Sequence, residues 1–281
     1  MSSLTSSPFA RSVVAAVAVL GVLGLSACSS SGANPASSAS AEAAEGRTLA
    51  DVQDAGVLVV GTEGTYRPFS FHEGGSGDLT GYDVEIITAV ADELGVDVEF
   101  QETQWDGIFG GLDAGRFDVI ANQVSINEER LADYSFSEPY TISPGVLVVA
   151  EDNSDITSLE DLEGKTSAQS LTSNWYEVAT GFGANVEAVE GWAQAVELLR
   201  QGRVDATVND ELTFLDYEKT EGGDTGLKIV DETDDASQNA FAFRKGSDDL
   251  VSAVDDALET LRADGTLAEI SEKYFGEDVS Q

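Results

Sequence analysis

Residues 124–136 read "VSINEERLADYSF", and a helix starting at Asn127 puts Arg130 in its first turn. A cation there opposes the helix dipole, by roughly a few tenths of a kcal/mol. Arginine is also scarce in this chain. The sequence carries 14 Lys+Arg against 52 Asp+Glu, a formal net charge of -38. Two chemistries suit an arginine in that place. It could form a surface ion pair with Glu128, Glu129 or Asp133, a common and weak arrangement. Or its planar fork could hold a carboxylate in bidentate fashion, helped by the free N–H groups of the helix start and the hydroxyl of Ser125. Spacing alone leaves both open. Ser125 opens "SINE", which fits the capping-box pattern with Ser125 as N-cap and Glu128 reaching back.

These residues need elements to position them. "VLVVGT" (57–62) is a short apolar run before a loop containing Gly64 and Pro68, and reads as a buried strand. "YDVEIITAVADELG" (82–95) sets Val84, Ile87, Ala91 and Leu94 at helical spacing, with Gly95 as the stop. "VDVEF" (96–100) alternates like a strand, "WDGIFGGLDAG" reads as a short helix, and "RFDVIAN" (116–122) as the next strand. Alternating strands and helices predict an α/β fold with largely parallel sheets. The second half repeats the idiom: "LLRQGRVDATVND" (198–210) parallels "GLDAGRFDVIANQ" (111–123). Ligands of open parallel sheets bind beyond the carboxyl ends of the strands. The repeat therefore points Asn122–Gln123 and Asn209–Asp210 at a common cleft, unless these polar residues merely end their strands. The tail, residues 248–276, predicts two amphipathic helices separated at Gly265 that pack back on the first half.

Composition bounds the function. At 281 residues and 42% hydrophobic, the chain can build two lobes with real cores. Residues 1–27 hold one charge, Arg11, before the apolar run "VVAAVAVLGVLGL", which is short for a bilayer span and reads as an export signal. It ends in "LSAC", where Cys28 is the only cysteine, so no internal disulfide forms. A small-residue site closed by cysteine resembles the bacterial lipobox, which implies lipidation at Cys28. Residues 28–46 then read as a flexible tether. With so few basic residues, no patch exists to release counterions from nucleic acid. The acidity reads as a solvated surface that keeps the protein soluble and monomeric.

Several segments together carry a resemblance. "GTEGTYRPFSF" (61–71), "LTGYDVEI" (79–86), "QWDGI" (104–108), "ANQVSINEER" (121–130), "YSFSEPY" (134–140), "DLEGK" (161–165), "RVDATVND" (203–210) and "LRADGTLAEISEKYFG" (261–276) occur in the order seen in the polar amino-acid-binding proteins (family 3) of ABC importers. "AQSLTSNW" (168–175) is most similar to cystine- or cysteine-binding members. The resemblance implies the type II periplasmic-binding-protein fold: two α/β lobes joined by a two-strand hinge, with crossings near 140–146 and 238–241. Lobe 1 would comprise 47–142 plus 242–281, and lobe 2 would comprise 143–241. It implies an extracytoplasmic lipoprotein, anchored to the cell membrane through Cys28, that binds an amino acid and meets an ABC permease and its ATPase.

The resemblance also assigns residues. Arg130 matches the clamp on the ligand α-carboxylate. Ser125 matches the hydroxyl beside it, and Gln123 a backbone carbonyl that accepts from the α-ammonium. Asp210 matches the acid that pairs with this ammonium from the other lobe. Thr172, Ser173 and Asn174 match a loop offering N–H groups and hydroxyls to the carboxylate. Tyr66 and Trp105 match the aromatic pair that sandwiches the ligand side chain. Glu63 matches a polar site at the ligand's distal end. Ser170 matches a side-chain contact that is lysine in glutamine-binding relatives. Without the resemblance Tyr66 and Trp105 read as core aromatics, and Trp175 and Trp192 read as packing residues. His72 reads as exposed and carries no role. No cofactor or metal is expected, with one histidine and one cysteine in the chain. Two other readings stand beside import. One is an amino-acid-sensing lipoprotein that feeds no transporter. The other is a dehydratase on the same fold, for which Glu63 is the one obvious spare acid and no catalytic residue is otherwise apparent.

Overall fold

The computed structural model describes residues 45–280. The expected export signal, Cys28 and nearly all of the tether lie outside these residues. Helix α1 (Leu49–Ala55), closed by a capping box between Thr48 and Asp51, leads into strand β1 (Val57–Thr62). A small antiparallel piece follows: β2 (Thr65–Tyr66), β3 (Ser70–His72) and β4 (Leu79–Thr80). Next come α2 (Tyr82–Leu94), β5 (Asp97–Glu102), α3 (Trp105–Asp113), β6 (Val119–Ser125), α4 (Glu128–Asp133) and β7 (Tyr134–Phe136). The second half holds β8 (Thr141–Ser143), β9 (Gly145–Ala150), β10 (Thr166–Gln169), α5 (Asn174–Gly181), β11 (Asn185–Ala188), α6 (Trp192–Arg200), β12 (Thr207–Asp210), α7 (Glu211–Glu221) and β13 (Leu227–Glu232). The long β14 (Ser237–Arg244) then returns to the first sheet, and α8 (Asp248–Asp264) and α9 (Thr266–Phe275) close the fold.

Two sheets organise two α/β lobes. The first runs β5-β1-β6-β14-β7. The second runs β12-β9-β13, and a parallel bridge from Ser167 to Ala206 ties the β10-β11 pair to its β12 side. The sequence pattern predicts largely parallel sheets; instead the first sheet is mixed and the second is antiparallel. The first is parallel from β5 through β1 to β6 and turns antiparallel where β14 enters; β9 runs antiparallel to both β12 and β13, and parallel pairing in that lobe is left to β10-β11 and the Ser167–Ala206 bridge, because β14 and β9 arrive from the other lobe. The crossings meet each other: β8 pairs antiparallel with the first residues of β14, Thr141 facing Asn239 and Ser143 facing Ser237. These two strands lie where the chain passes between the two sheets.

Local sequence explains most elements. Gly95 ends α2 in the left-handed conformation, as the pattern predicts. The buried face of α2 is wider than the 84/87/91/94 stripe, because Ile86 and Val90 are fully buried too. The reason lies in the tail: α8 and α9 pack against α2 and share one core with it and the first sheet, so this helix is covered by both the sheet and the tail helices. Edge strand β5 alternates as expected, turning Asp97 and Glu99 to water and Val98 and Phe100 inward. Central β6 is buried at every position. It starts at Val119 rather than Arg116. Phe117 turns into the core against Gly61 and Gly111, and the Asp118 carboxylate takes the Val59 N–H at 3.1 Å. His72 is not fully exposed: its side chain is 28% accessible and Nε2 meets Glu102 Oε2 at 3.0 Å.

The entry to α2 is tight. Gly81 caps the helix at φ 135°, and a Cβ there would stand 2.1 Å from the Phe69 carbonyl oxygen. Both the φ and the backbone clash oppose any side chain. Gly81→Ala is expected to cost about 3 kcal/mol and to lower Tm by roughly 5–10 °C. A thermal scan that shows a shift below about 2 °C would contradict this packing.

Candidate functional site

The carboxyl ends of β1 and β6 in one lobe face those of β10 and β12 in the other. Between them lies a cavity of about 310 Å³, lined by Glu63, Tyr66, Trp105, Gln123, Ser170, Ser173 and Asn174 among others. A second cavity of about 450 Å³ adjoins it, with Arg130 and Thr172 in its wall and Ser173 and Asn174 shared between the two. The predicted residues thus gather at one cleft, apart from Ser125 and Asp210, whose side chains line neither cavity. Of the strand ends that the internal repeat points at a common cleft, Asn122, Gln123 and Asn209 line the main cavity and Asp210 does not, because its carboxylate turns back to cap α7.

Arg130 is 7% exposed. Its Nη1 donates to the Ser125 carbonyl at 2.9 Å and its Nη2 to the Thr172 carbonyl of the other lobe at 3.2 Å. Its guanidinium carbon lies 5.3 Å from the Trp105 ring centre and 5.4 Å from that of Phe109. The surface ion pair with Glu128, Glu129 or Asp133 does not form: among the described residues Arg130 has no carboxylate oxygen within 4.0 Å. Burial lowers its pKa to about 10. The Glu177 and Glu129 carboxylates offset this only from beyond ion-pair distance, so the cation stays costly and an arriving carboxylate would relieve that cost.

The capping box at Ser125 is corrected by the structure. Asn127 is the N-cap of α4, its Oδ1 accepting the Arg130 N–H at 2.8 Å. Ser125 ends β6, paired with Asn239 of β14, and its hydroxyl donates to Asn239 Oδ1 at 2.9 Å. The strand runs on through the position where the pattern starts a cap, because β14 lies alongside to pair with it.

Gln123 has φ 49°, the one positive φ outside glycine among the described residues. For a residue with a Cβ this conformation costs about 1–2 kcal/mol. It sits in a bulge where Phe241 alone faces residues 121–123 across the sheet. Gln123 Oε1 is buried with no donor among the described residues. Glu63, 8% exposed, accepts from Asn122 Nδ2 at 2.7 Å, while Asn122 Oδ1 accepts the Glu63 N–H at 2.8 Å. Burial drives the Glu63 carboxyl up to about 7, and the Asn122 donor only partly opposes it. Asp210 is the N-cap of α7, accepting from Leu212 N at 2.9 Å and from Ser143 Oγ of the hinge at 2.5 Å. Burial raises its pKa to about 6.

Contacts between lobes close the cleft. The Tyr66 hydroxyl donates to Asn209 Oδ1 at 3.0 Å and accepts from Thr213 at 3.2 Å. Thr172, predicted to offer its N–H to a ligand, instead gives N–H and hydroxyl to Asp106 Oδ1 at 3.2 and 2.8 Å. Ser173 caps α5, accepting the Trp175 N–H at 3.1 Å. Trp175 and Trp192 pack in lobe 2 as predicted, but both also line the main cavity, together with Glu190, Gly191 and Gln194. Sequence reasoning missed that wall. A glycine just ahead of α6, itself following β11, was the available signal, since strand-to-helix loops are where α/β lobes meet ligands. Among the described residues the cleft thus holds a buried cation with no carboxylate oxygen within 4.0 Å on one side and the buried Glu63 carboxyl with no cation within 4.0 Å on the other. That distribution suits a zwitterion.

Residues 58–277 match the family model of the bacterial extracellular solute-binding proteins, family 3. The chain is 53% identical over 232 residues to the L-cystine-binding protein TcyA of Bacillus subtilis (strain 168), covering 83% of this chain and 86% of that one. It is 47% identical to the L-cystine solute receptor of Neisseria gonorrhoeae in the unliganded open conformation, over 84% of this chain and 100% of that one, with a TM-score of 0.57. A histidine-bound substrate-binding protein of a Streptococcus pneumoniae ABC uptake transporter is only 28% identical, over 83% and 97%, yet has a TM-score of 0.77. The more distant, ligand-bound structure fits better, in keeping with the lobe contacts across the cleft here.

Proposed function

The chain belongs to the bacterial extracellular solute-binding proteins, family 3, and on that premise we propose that it binds L-cystine, or cysteine, between its lobes and presents it to an ABC permease. The single observation that carries the reading is Arg130, a buried cation with no carboxylate oxygen within 4.0 Å among the described residues. In this reading its fork takes the ligand α-carboxylate, joined by the Ser125, Ser173 and Asn174 segments. The α-ammonium meets the Gln123 carbonyl and the negative field of Asp210. Tyr66 and Trp105 flank the ligand side chain, and Glu63 and Ser170 face its distal end. The groups come from both lobes, so ligand favours the closed arrangement by its differential affinity for it. Cystine is favoured over shorter amino acids because a second ammonium at its far end would face Glu63. Lipid attachment at Cys28 would hold the protein at the outer face of a membrane, beside the permease.

Calorimetric titration of the chain from Ser29 onward, unfolded and refolded to strip carried ligand, tests this. The panel is the common amino acids plus L-cystine. Cystine or cysteine binding at micromolar Kd or better is the expected result. Tight binding of another amino acid would keep the solute-binding role and remove the cystine assignment. Silence across the panel would remove the amino-acid reading. A second reading rests on Glu63, whose carboxyl titrates near the range of a general base. Turnover of a bound candidate, seen by mass spectrometry, would favour a dehydratase instead.

A further inference from the structure

Asp83 is fully buried on the first turn of α2, in no ion pair among the described residues. Three donors converge on its carboxylate. The Gln123 N–H reaches Oδ2 at 2.5 Å, Gln123 Nε2 reaches Oδ1 at 2.9 Å, and the Tyr140 hydroxyl reaches Oδ2 at 2.8 Å. Two of the three come from the residue with the left-handed backbone, whose conformation a side chain disfavours. The third comes from the residue just before hinge strand β8. Gln123 Nε2 also donates to Thr141 Oγ1 at 3.1 Å, on β8 itself. The Tyr140 ring stacks on Phe241, 4.3 Å between centroids, and Phe241 is the residue facing the bulge. Bulge, hinge strand and α2 therefore share one anchor, and Asp83 lines neither cavity of the cleft.

We propose that Asp83 is a positioning residue for ligand binding. It bolts Gln123 into its left-handed conformation, which sets the direction of the Gln123 carbonyl and of the neighbouring Asn122 side chain, and through Tyr140 it fixes that arrangement to the hinge. A carboxyl with two acceptor oxygens suits the task because all three groups hydrogen-bonded to it donate. This rests on the solute-binding reading above, but a wild-type isotherm tests that reading and differences between variants test Asp83.

The variant Asp83→Asn keeps the shape and turns an NH₂ towards a donor. The probe is L-cystine, or whichever panel amino acid the wild type binds. Affinity is expected to fall at least about tenfold. Adding Gln123→Gly, which takes the left-handed conformation without a bolt, is expected to recover at least about threefold over Asp83→Asn alone. A purely structural aspartate would lower Tm and gain no affinity from that glycine. Wild-type affinity in Asp83→Asn, or no recovery in the double variant, overturns the proposal. If Asp83→Asn does not fold, the single variants Gln123→Gly and Gln123→Ala decide. Both lack the side-chain amide, and only alanine resists the backbone conformation. Gly binding at least about threefold more tightly than Ala supports the proposal, and equal binding overturns it.

Discussion

Arg130→Ala is expected to weaken amino-acid binding by at least about 100-fold, because truncating one side of a buried charge pair leaves the ligand carboxylate desolvated and unpaired. The free protein should hardly notice. Arg130 makes two hydrogen bonds to carbonyls and no ion pair within 4.0 Å, so its removal relieves a desolvated charge as it loses those bonds. The ligand-free Tm is expected to move by no more than about 4 °C. Arg130→Lys keeps the charge without the fork and should fall between the two in affinity. Calorimetry and a thermal scan read both effects. Undiminished binding in Arg130→Ala would sink the clamp. A collapse of the free protein would make Arg130 a structural cation instead.

Glu63 yields a prediction in pH, with opposite signs for stability and binding. Its folded pKa is raised from 4.5 to about 7, chiefly by burial, so the folded state holds its proton more tightly than the unfolded chain. Stability from such a group is full below about pH 4.5 and is lost as pH rises through about 7. At about 1.4 kcal/mol per pKa unit, the loss is on the order of 3 kcal/mol. Asp83, raised to about 7, and Asp210, raised to about 6, act in the same direction, again through burial. The ligand-free protein is therefore expected to melt higher at about pH 5.5 than at about pH 7.5. A cationic group meeting Glu63 needs the ionised form, so cystine affinity should instead rise about tenfold over the same interval. Glu63→Gln should raise ligand-free stability at about pH 7.5 and remove most of the affinity slope, leaving the share of Asp83 and Asp210. A variant that keeps the wild-type slope would show that Glu63 meets no ammonium.

Much of this molecule was legible in local pattern. The apolar run of β1, the helical spacing and glycine stop of α2, and the paired tail helices depend on contacts a few residues apart, which periodicity records. The internal repeat also placed Asn122, Gln123 and Asn209 at facing strand ends. Arg130 stood out because it breaks a local rule, a cation at a helix start, and such a breach marks a residue answering to something non-local.

Other features depended on neighbours far along the chain. Ser125 has the local pattern of a helix cap, yet pairing with β14 keeps it in the strand and passes the cap to Asn127. Gln123 has no left-handed signature in its sequence; Asp83, 40 residues earlier, holds it there. Trp175 and Trp192 look like packing residues until two lobes meet over them. The raised pKa values of Glu63, Asp83 and Asp210 belong to no motif, since desolvation depends on how much water the surrounding packing excludes. By itself the sequence determined the elements and which residues could do chemistry, because short-range periodicity and residue type encode both. The tertiary structure decided which of those residues lose their water and which partners they meet, because burial and strand pairing arise only when distant segments come together.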